Sequence, residues 1–157
     1  MFFRNRLEYI RFKMGLTDHY IPKVIVNDGD ELFEKTQKVF KDISDEFRNG
    51  PKMLIFLIPH RITVDEKYRR DMLSIYNIEP DSIDLWRPKV MFTRLVREFE
   101  LKGFDLTSYF LQGNPSTLYY DIDGHWNVEG NRVAAEALFP YILDMMSDVC
   151  LQNVSDG

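Results

Sequence analysis

Residues 53–58, Met-Leu-Ile-Phe-Leu-Ile, form the longest core-like apolar run of the sequence, and Pro51 and Pro59 bound it. A continuous apolar run of this length predicts a strand that is buried on both faces of a parallel sheet. Pro59, His60 and Arg61 leave the strand at its carboxyl end, where open α/β sheets bind their ligands. His60 is therefore a candidate site residue, although a solvated loop histidine is the more common outcome at such a position.

Helices and one further strand are predicted around this strand. Apolar residues recur on one helical face in residues 31–48 and in a last helix over 128–147. Gly103 is expected to cap the helix before it, and Pro140 to kink or break the last helix. This alternation of strand and helix predicts an α/β layer fold with a parallel sheet. The remaining predicted elements are helices at 65–76 and 88–102 and a short strand at 104–106.

The composition indicates one soluble globular domain. The chain has 157 residues, of which 45% are apolar and 29% charged, which suits one core and is too short for two comfortable domains. A net charge of −5 argues against a general nucleic-acid binder, because phosphate contacts need a concentrated positive face. A single cysteine, Cys150, excludes an internal disulfide and leaves the compartment open. We interpret residues 1–22 as a helix and linker, 23–147 as the α/β body and 148–157 as a tail.

The N-terminal segment mixes apolar and basic side chains. Residues 2–14 predict a helix and lack the uninterrupted apolar stretch of a signal peptide. Such a helix can lie on a membrane surface, but packing against the sheet of its own domain is the favoured interpretation. No run of the sequence reaches the apolar length of a membrane span.

The reactive side chains of the sequence are concentrated between Tyr119 and Ala137. Asp121, Asp123 and His125 alternate, so in an extended segment their side chains point to the same side. Asn127, two residues further on, offers a side-chain cap to the helix that begins after it. Loops that end a strand and open a helix are common places for catalytic groups, because the flanking elements hold them still.

Three kinds of site can use Asp121, Asp123 and His125. A calcium loop is excluded, because Gly124 comes too early and Arg132 stands where the closing acid belongs. A transition-metal site fits the alternation, but no second histidine at ligand spacing supports it, so no metal is expected. The third is an imidazole general base that a carboxylate orients. A purely structural role, in which the acid and the imidazole satisfy turn amides, is the alternative.

The motif at residues 123–127, Asp-Gly-His-Trp-Asn, adds a family resemblance to this chemistry. Followed by a glycine and an alanine-rich helix, it resembles the C-terminal motif of the SGNH (GDSL-like) hydrolases. The order of the predicted elements over residues 31–147 also agrees with that of the SGNH hydrolases. Ile-Pro ends a strand, Arg-Pro opens a helix, and Gly-Phe-Asp-Leu and Leu-Tyr-Tyr follow. The specific part of the resemblance is residues 118–137.

The resemblance implies a three-layer α/β/α domain with a mainly parallel, flavodoxin-like sheet. It implies cleavage or transfer of small-molecule or carbohydrate acyl esters by a serine nucleophile, without a cofactor. His125 would be the base and Asp123 its orienting acid. Many relatives have two residues between that acid and the histidine, whereas only Gly124 lies between them here, so Asp121 is the substitute candidate.

The nucleophile of the family is missing from the sequence. No Gly-Asp-Ser occurs, and the glycine-x-asparagine-aspartate block has only the faint echo Asn27-Asp28, better interpreted as a turn and helix cap. We therefore expect the C-terminal portion of an SGNH-like protein, without its first strand and serine and inactive by itself. An unpaired sheet edge would favour self-association. A noncatalytic binding module on the same scaffold is the alternative. The seven serines are Ser44, Ser74, Ser82, Ser108, Ser116, Ser147 and Ser155.

Overall fold

The computed structural model describes residues 30–50, 53–121 and 124–155. The predicted helix at residues 2–14 and Asp123 lie outside these ranges. Within them the helices are α1 (Asp30–Phe47), α2 (Arg61–Val64), α3 (Glu66–Tyr76), α4 (Arg87–Glu98), α5 (Thr107–Leu111) and α6 (Val128–Ser155). The strands are β1 (Leu54–Leu57) and β2 (Lys102–Asp105), and 3-10 turns occur at Pro80–Ser82 and Pro115–Thr117.

The two strands pair in parallel, which confirms an α/β fold with a parallel sheet. Leu54 lies opposite Lys102, and Leu57 lies opposite Asp105. Parallel strands need a long crossover, and α2, α3 and α4 supply it. The Leu106 amide extends the pairing by donating to the Leu57 carbonyl at 3.1 Å. Both strands therefore end at the same edge, which we call the carboxyl edge of the sheet.

The prediction that the first strand is buried on both faces is wrong. Phe56 is 40% exposed, and Leu54, Ile55 and Leu57 are half-buried. In the part of the chain that the structure describes, β1 has β2 as its only strand partner. The elements that pack on this two-stranded sheet leave part of its surface open to water. The apolar run by itself does not predict this exposure.

Gly103 lies inside β2 rather than at a helix end, so the predicted cap is wrong. The helix before it, α4, ends at Glu98, and Glu100 makes the turn with a positive φ of 54°. A Cβ at Gly103 would collide with the side chain of Val96 in α4. Close packing of the helix on the strand, rather than helix capping, explains this glycine.

The last helix continues past Pro140 to Ser155, so it is not broken at Pro140, and the alternative of a kink there stays a prediction. Proline removes one backbone hydrogen bond, and the turns on both sides hold this long helix together. The predicted buried stripe is confirmed at Ala134, Ala137 and Leu138. It fails one turn later, where Tyr141 is 45% exposed.

The main core joins the carboxyl edge to α5 and α6. Phe110 and Leu106 have no exposed surface, and the small residues Ala134 and Ala137 bring α6 close to them. Tyr119 belongs to the same cluster and is 4% exposed. The chain between α5 and α6 is thus anchored in the core. No helix among the described residues is long and apolar enough to cross a membrane.

Candidate functional site

The chain that carries the predicted base docks beside the carboxyl end of β1. We call residues 118–127 the His125 segment. The Tyr119 hydroxyl donates to the Pro59 carbonyl at 2.8 Å, and Arg61 Nη1 donates to the Tyr120 carbonyl at 3.2 Å. Both bonds join consecutive residues of the segment to the residues that follow β1. The predicted location, at the edge where α/β sheets bind ligands, agrees with these contacts.

A tight backbone turn holds His125 within this segment. The Tyr120 amide donates to the His125 carbonyl at 2.8 Å, and the Asn127 amide donates to the Leu118 carbonyl at 2.8 Å. Gly124 has a φ of 70°, a conformation that L side chains rarely adopt, and it lets the chain return on itself. His125 is exposed at the end of this turn.

Asn127 fixes the segment to the start of α6, as its position in the sequence predicts. Its Oδ1 accepts from the amides of Glu129 at 2.9 Å and Gly130 at 3.1 Å. Its Nδ2 donates to the carbonyls of Thr117 at 2.8 Å and Tyr119 at 3.2 Å. The Asn127 side chain thus bonds two amides of the first helical turn and two carbonyls of the loop before it. Because it joins the loop to the start of α6, it also fixes the position of His125, two residues before it.

A buried ion pair supports the His125 segment. Arg61 Nε lies 3.0 Å from Asp65 Oδ2, and both side chains are at least nine-tenths buried. The guanidinium also stacks over the Tyr68 ring at 4.5 Å. Since Arg61 donates to the Tyr120 carbonyl as well, its charge is satisfied on several sides. The sequence gives no signal that this pair is buried, because charges four residues apart are usually solvent-exposed.

His60 is held at the start of α2 and is not a solvated loop residue. Its Nδ1 accepts from the Ile62 amide at 3.2 Å, and the residue is half-buried. Burial, and to a smaller extent the neighbouring His125, lowers the pKa of His60 to about 4. His60 is therefore a neutral imidazole near pH 7.

Asp121 and Asp123 are the two acids predicted to orient His125, and the structure describes only the first of them. The Asp121 side chain is 93% exposed, and its Oδ1 lies 3.6 Å from Arg61 Nη1. An exposed contact at this distance holds the carboxylate weakly, and its partner is a guanidinium. Asp123 lies outside the described residues, so its role as the orienting acid stays a prediction. No group of three potential ligands in the described part of the chain could hold a metal ion.

The hydroxyl groups of three serines donate hydrogen bonds to other parts of the fold. Ser44 donates to the Phe99 carbonyl at 3.0 Å, Ser82 to the Glu79 carbonyl at 2.7 Å, and Ser116 to Asn114 Oδ1 at 2.7 Å. Ser74 and Ser108 lie exposed in α3 and α5. Four of these positions, Ser44, Ser74, Ser82 and Ser116, do not directly follow a strand. Ser108 lies three residues after the end of β2, at the start of α5, but it lacks the Gly-Asp-Ser context of the family's serine block.

The candidate site therefore contains two imidazoles, those of His60 and His125, at the carboxyl edge of the parallel sheet. The buried Arg61–Asp65 pair supports it through the bond from Arg61 to Tyr120. Comparison with known proteins adds nothing to this geometry: no family model, curated protein or solved structure matches the chain.

Proposed function

We propose that the chain carries the base side of an SGNH-type acyl-ester site, with His125 as the general base. The observation that carries the proposal is the exposed imidazole of His125 in a segment bonded to Pro59 and Arg61, directly after β1. An imidazole that is exposed but held by a rigid backbone can exchange protons with a bound substrate. The proposal includes the three-layer α/β/α fold, which the parallel pair β1 and β2 supports.

The proposed reaction is acyl transfer through a serine hydroxyl. His125 takes the hydroxyl proton while the serine oxygen bonds to the ester carbonyl carbon, and the carbonyl electron pair moves onto its oxygen. Collapse of this oxyanion breaks the bond to the alcohol, which leaves with the proton from His125. Water, or an acceptor alcohol in a transferase, then repeats the two steps and restores the serine.

Asp123 is the acid proposed to orient His125. Asp121, its competitor, has the guanidinium of Arg61 as a neighbour at 3.6 Å, and its side chain is almost fully exposed. A water-exposed carboxylate gives an imidazole little electrostatic support. The substrate class that the family resemblance implies, and that we propose, is a small-molecule or carbohydrate acyl ester.

A noncatalytic binding module on the same scaffold is the second candidate. The observation that favours it is that the hydroxyls of Ser44, Ser82 and Ser116 donate hydrogen bonds to other parts of the fold and are therefore not placed to attack an ester. Without a nucleophile, the remaining groups would bind and orient an ester but would not turn it over through a covalent intermediate.

Labelling with a fluorophosphonate separates the two candidates. The hydrolase predicts one modified serine, identified by mass spectrometry, whose label is lost in His125→Gln and kept in Lys67→Ala. Lys67 is an exposed residue of α3 and serves as the control for substitution itself. A wild-type chain that takes up no label supports the binding module. A label that His125→Gln leaves unchanged contradicts the role of His125.

A further inference from the structure

The outward face of α4 forms an open groove with an apolar part and a cationic part. The groove has a volume of about 650 Å³, and its lining residues lie between Trp86 and Glu98, so we call it the α4 groove. Trp86 and Val90 are 48% and 63% exposed at its apolar end. Trp86, Val90 and Arg97 follow one another at intervals of four and seven residues, so they lie on one line along the helix.

The α4 groove is positively charged, although the chain as a whole is acidic. Three cations line it, and Glu98 is the one acid among its lining residues, which gives a net charge of +2 against −5 for the chain. Lys89 lies 3.0 Å from Asp105, and Arg94 lies 3.8 Å from Glu98. The guanidinium of Arg97 makes no hydrogen bond or ion pair within the described part of the chain. An anionic partner can therefore bind at this end of the groove.

The outward face of α6 has the opposite character, an apolar ridge on an acidic helix. Phe139, Ile142 and Met146 are 59%, 45% and 59% exposed, and we call them the α6 ridge. Their spacing of three and four residues places them on one face, away from the buried Ala137. Residues 128–146 contain three acids and one arginine, a net charge of −2. Large apolar side chains exposed side by side mark an interaction surface.

The groove and the ridge lie on opposite faces of the sheet. Consecutive residues of a strand point to opposite faces. A Cβ at Gly103 would meet Val96 of α4. The next residue, Phe104, has its ring 4.2 Å from the Tyr141 ring of α6. Since α4 and α6 pack on different faces of β2, the α6 ridge of a chain cannot reach the α4 groove of the same chain.

From these two surfaces we propose that the α6 ridge of one copy of this chain docks in the α4 groove of a second copy. The apolar ridge would cover Trp86 and Val90, in the way that an amphipathic helix lies in a groove. The charges select a second copy as the occupant, because the net charge of −2 on α6 meets the net charge of +2 in the groove. The inference is independent of the proposed function of His125.

The arrangement of the two surfaces also determines the kind of oligomer. Each contact uses the groove of one copy and the ridge of the other, and it leaves one groove and one ridge free at the two ends. Because the two surfaces of a chain face in opposite directions, two copies cannot close into a symmetric dimer. Wild type should therefore form a head-to-tail series that continues beyond the dimer as the concentration rises.

The test is sedimentation equilibrium of the full chain from micromolar to submillimolar concentration. Val90→Glu places a carboxylate in the groove, and Phe139→Glu places one on the ridge. Both residues are more than half exposed, so the fold should be kept, and thermal unfolding checks this. We expect each variant alone to stay at the mass of one chain. Ile75→Glu is the matched control, because it changes an exposed apolar residue of α3, and it should associate like wild type.

Mixing the two variants makes the test specific for the two surfaces. Val90→Glu keeps an intact ridge and Phe139→Glu keeps an intact groove, so the equimolar mixture should form a complex of two chains and nothing larger. The inference is overturned if wild type stays at the mass of one chain, if it stops at the dimer, or if the mixture does not associate. Association of either variant alone to the extent of wild type also overturns it, and would assign the contact to another surface, such as a sheet edge.

Salt tests the charge complementarity separately. The Debye length falls from about 10 Å at 0.1 M to about 3 Å at 1 M ionic strength, so the association constant of wild type should fall over this range. An association constant that does not fall would contradict the electrostatic match on which the choice of a second copy rests.

Discussion

At the residue scale, the charge that supports the His125 segment is buried and paired. Arg61 is bonded to Asp65 at 3.0 Å and to the Tyr120 carbonyl at 3.2 Å, with a tyrosine ring stacked on its face. Removing one member of a buried pair leaves the other charge without compensation, and this costs much more than the pair itself contributes. Loss of Asp65 would therefore weaken one of the contacts that hold the segment, the bond from Arg61 to the Tyr120 carbonyl.

Asp65→Ala should lower the free energy of unfolding by roughly 3 kcal/mol, because the guanidinium of Arg61 stays buried without its carboxylate. Urea denaturation measures the change. Glu66→Ala is the matched control: it removes an exposed ion pair to Arg70, whose side chains are both 68% exposed, and should cost about 0.5 kcal/mol or less. Equal losses in the two variants would show that the Arg61–Asp65 pair contributes no more than a surface contact.

The residues of the site differ in how far the sequence reveals them. Asn127 as a helix cap and His125 at the carboxyl edge follow from local signals, namely a capping residue before an apolar helix and a motif beside it. Arg61 was missed because its partner carbonyl, at Tyr120, lies 59 positions away. His60 was placed at the correct strand end, but its cap and its burial depend on the chain that packs around it.

At the element scale, the end of β2 is stabilised by a charged group. Asp105 Oδ1 accepts from the Thr107 hydroxyl at 2.6 Å and from its amide at 2.9 Å, and Oδ2 lies 3.0 Å from Lys89 Nζ. Burial by itself would raise the pKa of Asp105, but the bonds from Thr107 and Lys89 outweigh burial and lower it. These contacts join β2, α4 and α5 at the carboxyl edge.

The depressed pKa of Asp105 predicts a specific acid sensitivity. The unfolded carboxyl binds a proton more readily than the folded one, so its stabilisation is complete above the unfolded pKa of about 3.9 and is lost as the pH falls through the folded value. Asp105→Asn should therefore reduce the slope of unfolding free energy against pH below about pH 4. Denaturant titrations at several pH values measure it, with the exposed Asp71→Asn as the control. An unchanged slope would contradict the contribution of Asp105.

Gly103 decides how closely α4 packs on β2. A Cβ at this position would collide with Val96 and come within 3.1 Å of Phe92. Gly103→Ala should therefore destabilise the protein by about 1–3 kcal/mol, the usual cost of overpacking. Gly113→Ala is the control, because a Cβ there meets nothing within 4 Å. If thermal unfolding shows equal midpoints for the two variants, the helix and strand are not in close contact.

Element positions were easier to predict than element ends. The continuous apolar run gives β1, and a 3.6-residue period gives α1 and the first half of α6. The ends depend on contacts that no local pattern contains. Gly103 was assigned to a cap because glycine often ends helices, whereas its packing against Val96 places it in a strand. Pro140 was expected to kink or break α6, and α6 continues through it without a break.

At the scale of the whole molecule, the fold brings two sequence-distant histidines to one edge of a parallel sheet. The general α/β class follows from the alternation of strands and helices, and the pairing of β1 with β2 confirms it. The number of strands could not be predicted, because it depends on which segments find partners rather than on any single pattern. The SGNH-type architecture and chemistry stay a proposal, which rests on the motif at residues 118–137 and on the position of His125.

The most direct test of the central claim is the rate of 4-nitrophenyl acetate hydrolysis by wild type and His125→Gln at equal concentration. Water that an imidazole deprotonates can attack this activated ester, so the assay reports on His125 as a base even without the serine nucleophile. Since general-base catalysis contributes typically 10²–10⁴-fold, we predict that the substitution lowers kcat by at least about 10²-fold with little change in KM or melting temperature. His19→Gln removes a different imidazole and controls for nonspecific histidine catalysis. Equal rates for wild type and His125→Gln would contradict the account.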